Sequence, residues 1–399
     1  MDNLVFRNTK ELFDYVRSYD IVELSEINKK KDENSFKKTD INDLVRQIES
    51  NERLLLIDVR SEKEYEESSI PKSVNFPILK TSERHNVGLV YANYESSAAF
   101  KLAEEYALQK VDSLRTFLHK TKADTKDIYV YCWRGGGRSR YLSKLLKEEG
   151  LSTTILAGGF KEHRRLTVNF FSRPIFLHNL LELSGKTGCG KTELINEISD
   201  LLPVIDLEKA ARHYSSLFGF IPYKIKGYTP IKNQSAFENY IFGQIILSKK
   251  LNNTDTTFII ESESKKVGDF FIPEILFDKM TDAPSIKIES SMENRVKRIV
   301  KDYFGSTLEG LEPMMDLFGK KNKYFKKELS TKTYNSLTEL LRQGKINEFT
   351  EIMLIKFYDV KYKQKQKKPI AIINTDDLAK AKITLTDIYK ENFINQKNN

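Results

Sequence analysis

The sequence predicts a two-domain α/β protein with mainly parallel sheets. Twice an apolar strand runs into a glycine-rich loop that opens a helix, once from Ile128 to Ser139 and again from Leu180 to Thr192. On either side of these units short buried-type strands alternate with helical segments, the pattern of helices packed on a parallel sheet. Length agrees: 399 residues at roughly 150 per domain make two to three domains, each large enough for its own core.

The elements follow in order. Residues 1–38 form a highly charged extension with one amphipathic helix, Lys10 to Tyr19, whose Leu12, Phe13 and Val16 make a narrow apolar stripe; it is expected to pack on the first domain. That domain, 39–170, opens with a helix from Asp40, a good N-cap, to about Ser50. Leu54 to Val59, Ile128 to Tyr131 and Thr153 to Leu156 read as strands, and a helix from about Ser139 to Glu149 is stopped by Gly150. The second domain, 171–399, begins with the strand Leu180 to Ser184 and a helix Thr192 to Leu201. Further strands are read at Val204–Leu207, Phe258–Glu261, Ser285–Glu289 and Ile370–Asn374, with a basic helical insertion over about 292–362.

Composition narrows the function classes. With 40% hydrophobic and 30% charged residues the chain is globular rather than disordered. Its longest apolar runs are strand-sized, far below the ~20 residues of a membrane span, and Met1 to Lys10 lacks the apolar core of a signal peptide; a cytoplasmic protein is expected. Two cysteines build no disulfide framework, and no histidine cluster has zinc-ligand spacing. The excess of 65 Lys plus Arg over 56 Asp plus Glu is compatible with a nucleic-acid partner. The run from Lys361 to Lys368 is either a solvated face or, with Tyr358 and Tyr362, a base-stacking strip.

Both cysteines lie in the glycine loops. In Cys132-Trp133-Arg134-Gly135-Gly136-Gly137-Arg138-Ser139 a cysteine follows a strand and an arginine comes six residues later. Such a loop curls its N–H groups, at Arg134, Gly135 and Gly136 here, around an anion above the sulfur, and the next helix adds its positive end. The same field favours a thiolate, and cysteines so placed fall from ~8.5 to roughly 3.5–7.5 in pKa. Cys132 is therefore a candidate nucleophile with Arg138 as anion holder. Two chemistries fit the loop, phosphate release through a phosphocysteine and sulfur or selenium transfer through a persulfide or its selenium analogue.

Gly185-Lys186-Thr187-Gly188-Cys189-Gly190-Lys191-Thr192 satisfies G-x-x-x-x-G-K-[ST] between a strand and a helix. Gly185, Gly188 and Gly190 let backbone N–H groups face phosphate oxygens, Lys191 brings a charge to the terminal phosphates, and Thr192 suits Mg²⁺. Glu261, at a strand end, is the first candidate for the acid that closes such a pocket, and Asp206 competes with it; His213 is a further site candidate. No adenine-reading motif is evident.

The stretch Leu56-Ile57-Asp58-Val59-Arg60-Ser61 with Glu64-Tyr65, Ile70-Pro71 and Val74-Asn75 resembles the rhodanese signature, which turns the cysteine loop toward sulfur or selenium transfer. A rhodanese-like domain joined to a P-loop domain resembles the tRNA 2-selenouridine synthase family, with similarity from about Ile57 to Tyr362. Carrying it are Glu83-Arg84-His85-Asn86-Val87-Gly88, the cysteine loop, Gly158-Gly159-Phe160-Lys161, the phosphate loop and Asp206-Leu207-Glu208 with His213. So do Glu261-Ser262-Glu263-Ser264 with Gly268, Arg295-Val296 with Tyr303, and Phe357-Tyr358-Asp359.

The resemblance implies a tRNA substrate carrying 2-thiouridine at wobble position 34, in tRNAs for Lys, Glu and Gln, and two co-substrates, geranyl diphosphate and selenophosphate. Sulfur is first geranylated, at the phosphate loop with Lys191; selenium then displaces it, through a selenyl-sulfide on Cys132 with Arg138 holding the phosphate. Two other readings stand beside it: a P-loop kinase or nucleotidase fused to a Cys-x5-Arg phosphatase acting on a small phosphorylated metabolite, and a nucleotide-gated binding protein whose first domain is a docking module.

Overall fold

The computed structural model describes residues 4–20, 36–362 and 368–394. Most of the lysine-rich run, 363–367, lies outside the described residues, as does 21–35 of the extension. The chain divides into two compact units, one through Val168 and the other from Asn169. Both are α/β. No helix among the described residues is long and apolar enough to cross a membrane.

The first unit is built on five parallel strands: β1 (Lys37–Thr39), β2 (Leu54–Asp58), β3 (Ser73–Asn75), β4 (Asp127–Tyr131) and β5 (Thr153–Leu156), in the order β1-β5-β4-β2-β3. Strand β4 is central, in register Ile57↔Val130 with β2 and Val130↔Ile155 with β5, so the loop after it emerges from the middle of the sheet. The helix Thr9–Arg17 buries Leu12 and Val16 in this unit's core. Three helices that hydrophobic periodicity did not reveal, Thr81–Asn93, Ser96–Leu108 and Val111–Thr121, fill the long connection from β3 to β4. In the first two the apolar residues do not gather in one stripe: Tyr91, Phe100 and Leu108 are exposed while Val90, Ala99 and Leu102 are buried.

The second unit also has a five-stranded parallel sheet. Its strands are β6 (Asn179–Ser184), β7 (Val204–Ile205), β8 (Thr257–Glu261), β11 (Ser285–Glu289) and β12 (Ala371–Asn374), ordered β12-β11-β6-β8-β7; β9 (Lys266–Val267) and β10 (Phe270–Phe271) pair separately as a short antiparallel ribbon. Leu181, Leu183, Ile259, Ile286 and Ile288 cover one face of the sheet together with side chains of the Lys191–Ile198 and Leu378–Phe393 helices. Between β11 and β12 comes the helical insertion, from Met292–Phe304 to Asp359–Lys361, with its own aromatic core around Phe304, Phe318, Phe325 and Phe349. The strand expected over Val204–Leu207 ends at Ile205, because Asp206 caps the helix Leu207–Ala211 by accepting the Lys209 N–H.

Candidate functional site

Cys132 follows β4 directly and is 4% exposed. Its Sγ accepts the Gly136 N–H at 3.3 Å, the residue that caps the helix Gly137–Glu148. The loop is pinned from behind by backbone. Phe160 N donates to the Cys132 carbonyl at 2.8 Å and Lys161 N to that of Trp133 at 3.0 Å. Gly135 and Gly159 both have positive φ, and a side chain on Gly159 would run into the Cys132 carbonyl and the Gly135 nitrogen. Arg134 is exposed beside the half-exposed Trp133.

Arg138 is bound to Glu64, Nη1 to Oε2 at 2.8 Å, and Arg84 reaches the same carboxylate at 3.1 Å. Burial works to raise the Glu64 pKa, yet these two cations and the Ser61 N–H hold it below the usual carboxylate range. Beneath the loop lies a fully buried pair: Arg60 grips Asp58 through Nε and Nη2, donates to the Ser68 carbonyl at 2.7 Å, and stacks its guanidinium 3.9 Å from the Phe160 ring centre. His163, also fully buried and next to Phe160, is held neutral with its pKa lowered to about 3 by burial.

In the second unit Gly185, Gly188 and Gly190 all take positive φ, as the phosphate loop requires. Lys191 Nζ donates to the Gly185 carbonyl at 2.9 Å. Burial opposes its charge, but Cys189 and Glu208 outweigh it and the ammonium pKa is raised. Thr192 donates its hydroxyl hydrogen to Glu208 Oε2 at 2.9 Å, and the other oxygen of Glu208 accepts the Ser215 N–H at 3.0 Å. Glu261 and Asp206 are placed elsewhere. Glu261 Oε2 accepts the Leu207 N–H at 2.8 Å, and its carboxyl is hydrogen-bonded to that of Asp206. Burial raises both pKa values; at Glu261, where the rise is strong, the neighbouring acids add to it, while at Asp206 the hydrogen bond to Glu261 works the other way. The acid that touches the loop is Glu208, two residues past Asp206.

Two arginines complete the surroundings. Arg298 lines the loop pocket and donates to Glu193 at 2.6 Å, Ser290 at 2.8 Å and the Thr375 carbonyl. Arg295 donates to the Thr187 carbonyl at 2.9 Å and forms a fork with Asp359, which Lys186 also reaches. In the sequence both belong to the basic helical insertion, where Arg295 also carries part of the family resemblance. Their spacing, three apart on one helix face, was the available signal.

The loop pocket has a volume of about 220 Å³ and is walled by residues 185–193 except Lys186, with Glu208, Arg298 and Tyr362. A larger cavity of about 790 Å³ shares Ser215, Ser216, Ser262, Glu263 and Tyr362 with it, and His213 belongs to that larger cavity. The His213 ring lies against Gly219 and Gly268, positions where a side chain would strike it, and burial lowers its pKa. Among the described residues no group of three His, Cys, Asp or Glu side chains could hold a metal ion. The paired oxygens of Thr192 and Glu208 fit Mg²⁺, a hard ion that keeps several waters and takes few protein ligands.

A cysteine loop on one parallel sheet and a glycine-rich phosphate loop on another define a rhodanese-like domain followed by a P-loop domain. Residues 40–165 match the rhodanese-like domain family. Residues 178–390, more than half of the chain, match the tRNA 2-selenouridine synthase AAA domain, and the chain belongs to the tRNA 2-selenouridine synthase family. It is 35% identical over 254 residues to a tRNA 2-selenouridine synthase of Nitrosomonas eutropha, covering 63% of each chain. With that of Nitrosomonas europaea it shares 34% over 257 residues, 63% of this chain and 64% of the relative; both matches span less than two thirds of the relatives' length. A lower identity, 27%, extends over 340 residues of the Cupriavidus pinatubonensis protein of that name, 79% of this chain and 90% of the relative.

Proposed function

We propose that this chain converts 2-thiouridine at wobble position 34 of tRNA to 2-selenouridine, using geranyl diphosphate and then selenophosphate. The reading is supported most by the union in one family member of a buried cysteine receiving a backbone N–H and a phosphate loop flanked by Lys191 and Arg298. In the first step the thiocarbonyl sulfur attacks C1 of the geranyl group. The S–C bond forms, the C–O bond breaks, and its electron pair leaves with the diphosphate. Lys191, Arg298 and the loop N–H groups stabilise that growing charge where it develops. Mg²⁺, held at the Thr192 and Glu208 oxygens, would supply further charge neutralisation.

Geranylation turns a thiocarbonyl into a displaceable thiolate. In the second step the Cys132 thiolate adds to C2 of the base as the C2–S bond breaks and geranylthiol leaves. Selenium, the nucleophilic end of selenophosphate, then displaces the Cys132 thiolate from C2, and water takes the phosphoryl group as the Se–P bond breaks, releasing phosphate. Arg138 holds the phosphate end when it exchanges its Glu64 partner for the donor.

Reconstitution tests this reading: purified protein, tRNA carrying 2-thiouridine, geranyl diphosphate with Mg²⁺, then selenophosphate, with nucleoside masses read at each stage. A geranylated nucleoside followed by selenouridine is expected. An unchanged nucleoside, with ATP or a phosphomonoester hydrolysed instead, overturns it in favour of the kinase and phosphatase reading.

A further inference from the structure

Strands of parallel sheets are buried on both faces and read as near-continuous apolar runs. The β6–β11 pair of the second unit departs from this. Ser285 lies beside Glu182 and Lys287 beside Ser184 in the register of the two strands. These four polar side chains share one face, since their chain neighbours Leu181, Leu183, Ile286 and Ile288 belong to the apolar core on the other. All four line the 790 Å³ cavity. A polar face on a parallel sheet that lines a cavity, at the expense of core area, marks a surface shaped for a ligand.

The chemistry of the walls narrows that ligand. Among the described residues charges of both signs line the cavity, Glu182, Glu263 and Asp269 with Lys266, Lys287 and Lys361. Much of the rest is hydroxyl, as at Ser184, Ser262 and Ser285. The ring of His213 lines it too, with a buried Nδ1 that has no hydrogen-bond partner among the described residues. A polar, multiply hydrogen-bonding ligand fits such a site, and the volume is in the range of pockets that enclose a small molecule. Enzymes that act on a base take it out of its stack into a pocket of this kind. The wall shared with the phosphate loop, including the aromatic Tyr362, sets that ligand next to whatever the loop binds.

We propose that this hydroxyl-rich cavity receives the unstacked nucleoside of the RNA substrate, with its reacting edge toward the phosphate loop. The assignment rests on the reading of that loop as the diphosphate donor site. His213 and the serines then read the ring and ribose, while Lys191 and Arg298 serve the donor.

Thiouridines cross-link to neighbouring side chains under near-ultraviolet light, which gives a direct test on the full wild-type chain. An RNA hairpin with 2-thiouridine in its loop is irradiated with the protein, and the attached peptides are mapped by mass spectrometry. Attachment to the segments around His213, Ser262 or Tyr362 is expected; attachment only elsewhere, or none, overturns the proposal. Ser285→Phe, which fills the cavity from the sheet, is expected to lower kcat/KM for the hairpin at least tenfold with unchanged affinity for geranyl diphosphate. Equal loss of donor affinity in Ser285→Phe, with the fold intact by circular dichroism, counts against it. The two readings fail separately. Cross-links in the cavity without any change in nucleoside mass sink the donor reading alone, and geranylation with cross-links elsewhere sinks the cavity assignment alone.

Discussion

Thr192 and Glu208 meet at 2.9 Å across sixteen residues of chain, the hydroxyl donating to a carboxylate that the Ser215 N–H fixes from its other side. The contact makes Glu208 the acidic partner of the phosphate loop. Glu208→Gln keeps the shape and removes the charge. It is expected to lower the geranylation rate by about 100-fold, the scale of losing one electrostatic stabiliser, and to abolish the Mg²⁺ dependence of diphosphate binding, read by titration calorimetry with and without the ion. A variant with unaltered Mg²⁺ dependence removes Glu208 from that role.

The two loops are expected to fail at different stages. Lys191→Ala leaves 2-thiouridine unmodified, with geranylation reduced by about 100-fold or more. Cys132→Ser instead accumulates geranylated tRNA. Nucleoside mass spectrometry distinguishes the two, and a Cys132→Ser protein making selenouridine at the normal rate refutes the nucleophile.

Gly159→Ala places a methyl group against the Cys132 carbonyl and the Gly135 nitrogen at a backbone φ of +61°. The sulfur's loop has to shift. Selenation is expected to be lost while geranylation persists, a split that nucleoside analysis of the same variant would show. Equal loss of both would instead mean general unfolding.

Removing one member of the Asp58–Arg60 pair leaves a buried charge without its partner. Arg60→Met is expected to destabilise the first unit by about 3–5 kcal/mol. Trp133, the one tryptophan of the chain, sits 5.7 Å from the Phe160 ring that Arg60 covers, so urea unfolding followed by its fluorescence measures the loss. A shift below about 1 kcal/mol would show that exposed pairs set the scale here.

Glu261 is an acid whose pKa folding raises, so its ionisation works against the native state. Its contribution is fully present below the unfolded value near 4.5 and is lost as pH rises toward the folded value. Glu261→Gln stays neutral and can donate to Asp206. Relative to wild type it is expected to gain thermal stability between pH 5 and pH 8, and the difference should vanish near pH 4. Melting curves across that range check the sign.

The glycine spacing of both loops, the strands that feed them and the cysteine and lysine they present were legible in the sequence, because each depends on residues close together in the chain. A positive φ at Gly185, Gly188 and Gly190, or a cysteine at a strand end, is a local requirement with a local signature. Glu208 was passed over in favour of Asp206 and Glu261 because all three are acids near strand ends, and only folding shows that two of them bond to each other. Hydrophobic periodicity likewise missed the helices between Thr81 and Leu108, whose apolar residues divide between core and solvent.

What the sequence determined by itself is therefore the α/β class, the order of the two domains and the two chemical loops. The tertiary structure decided which charges face those loops. Arg298 reaches Glu193 from 105 residues away and Arg295 reaches Thr187 from 108, and Ser285 stands beside Glu182 only because β11 pairs with β6. Such neighbours are set by sheet order and helix packing, whose driving force, the burial of apolar surface, is non-directional; no short spacing along the chain records them.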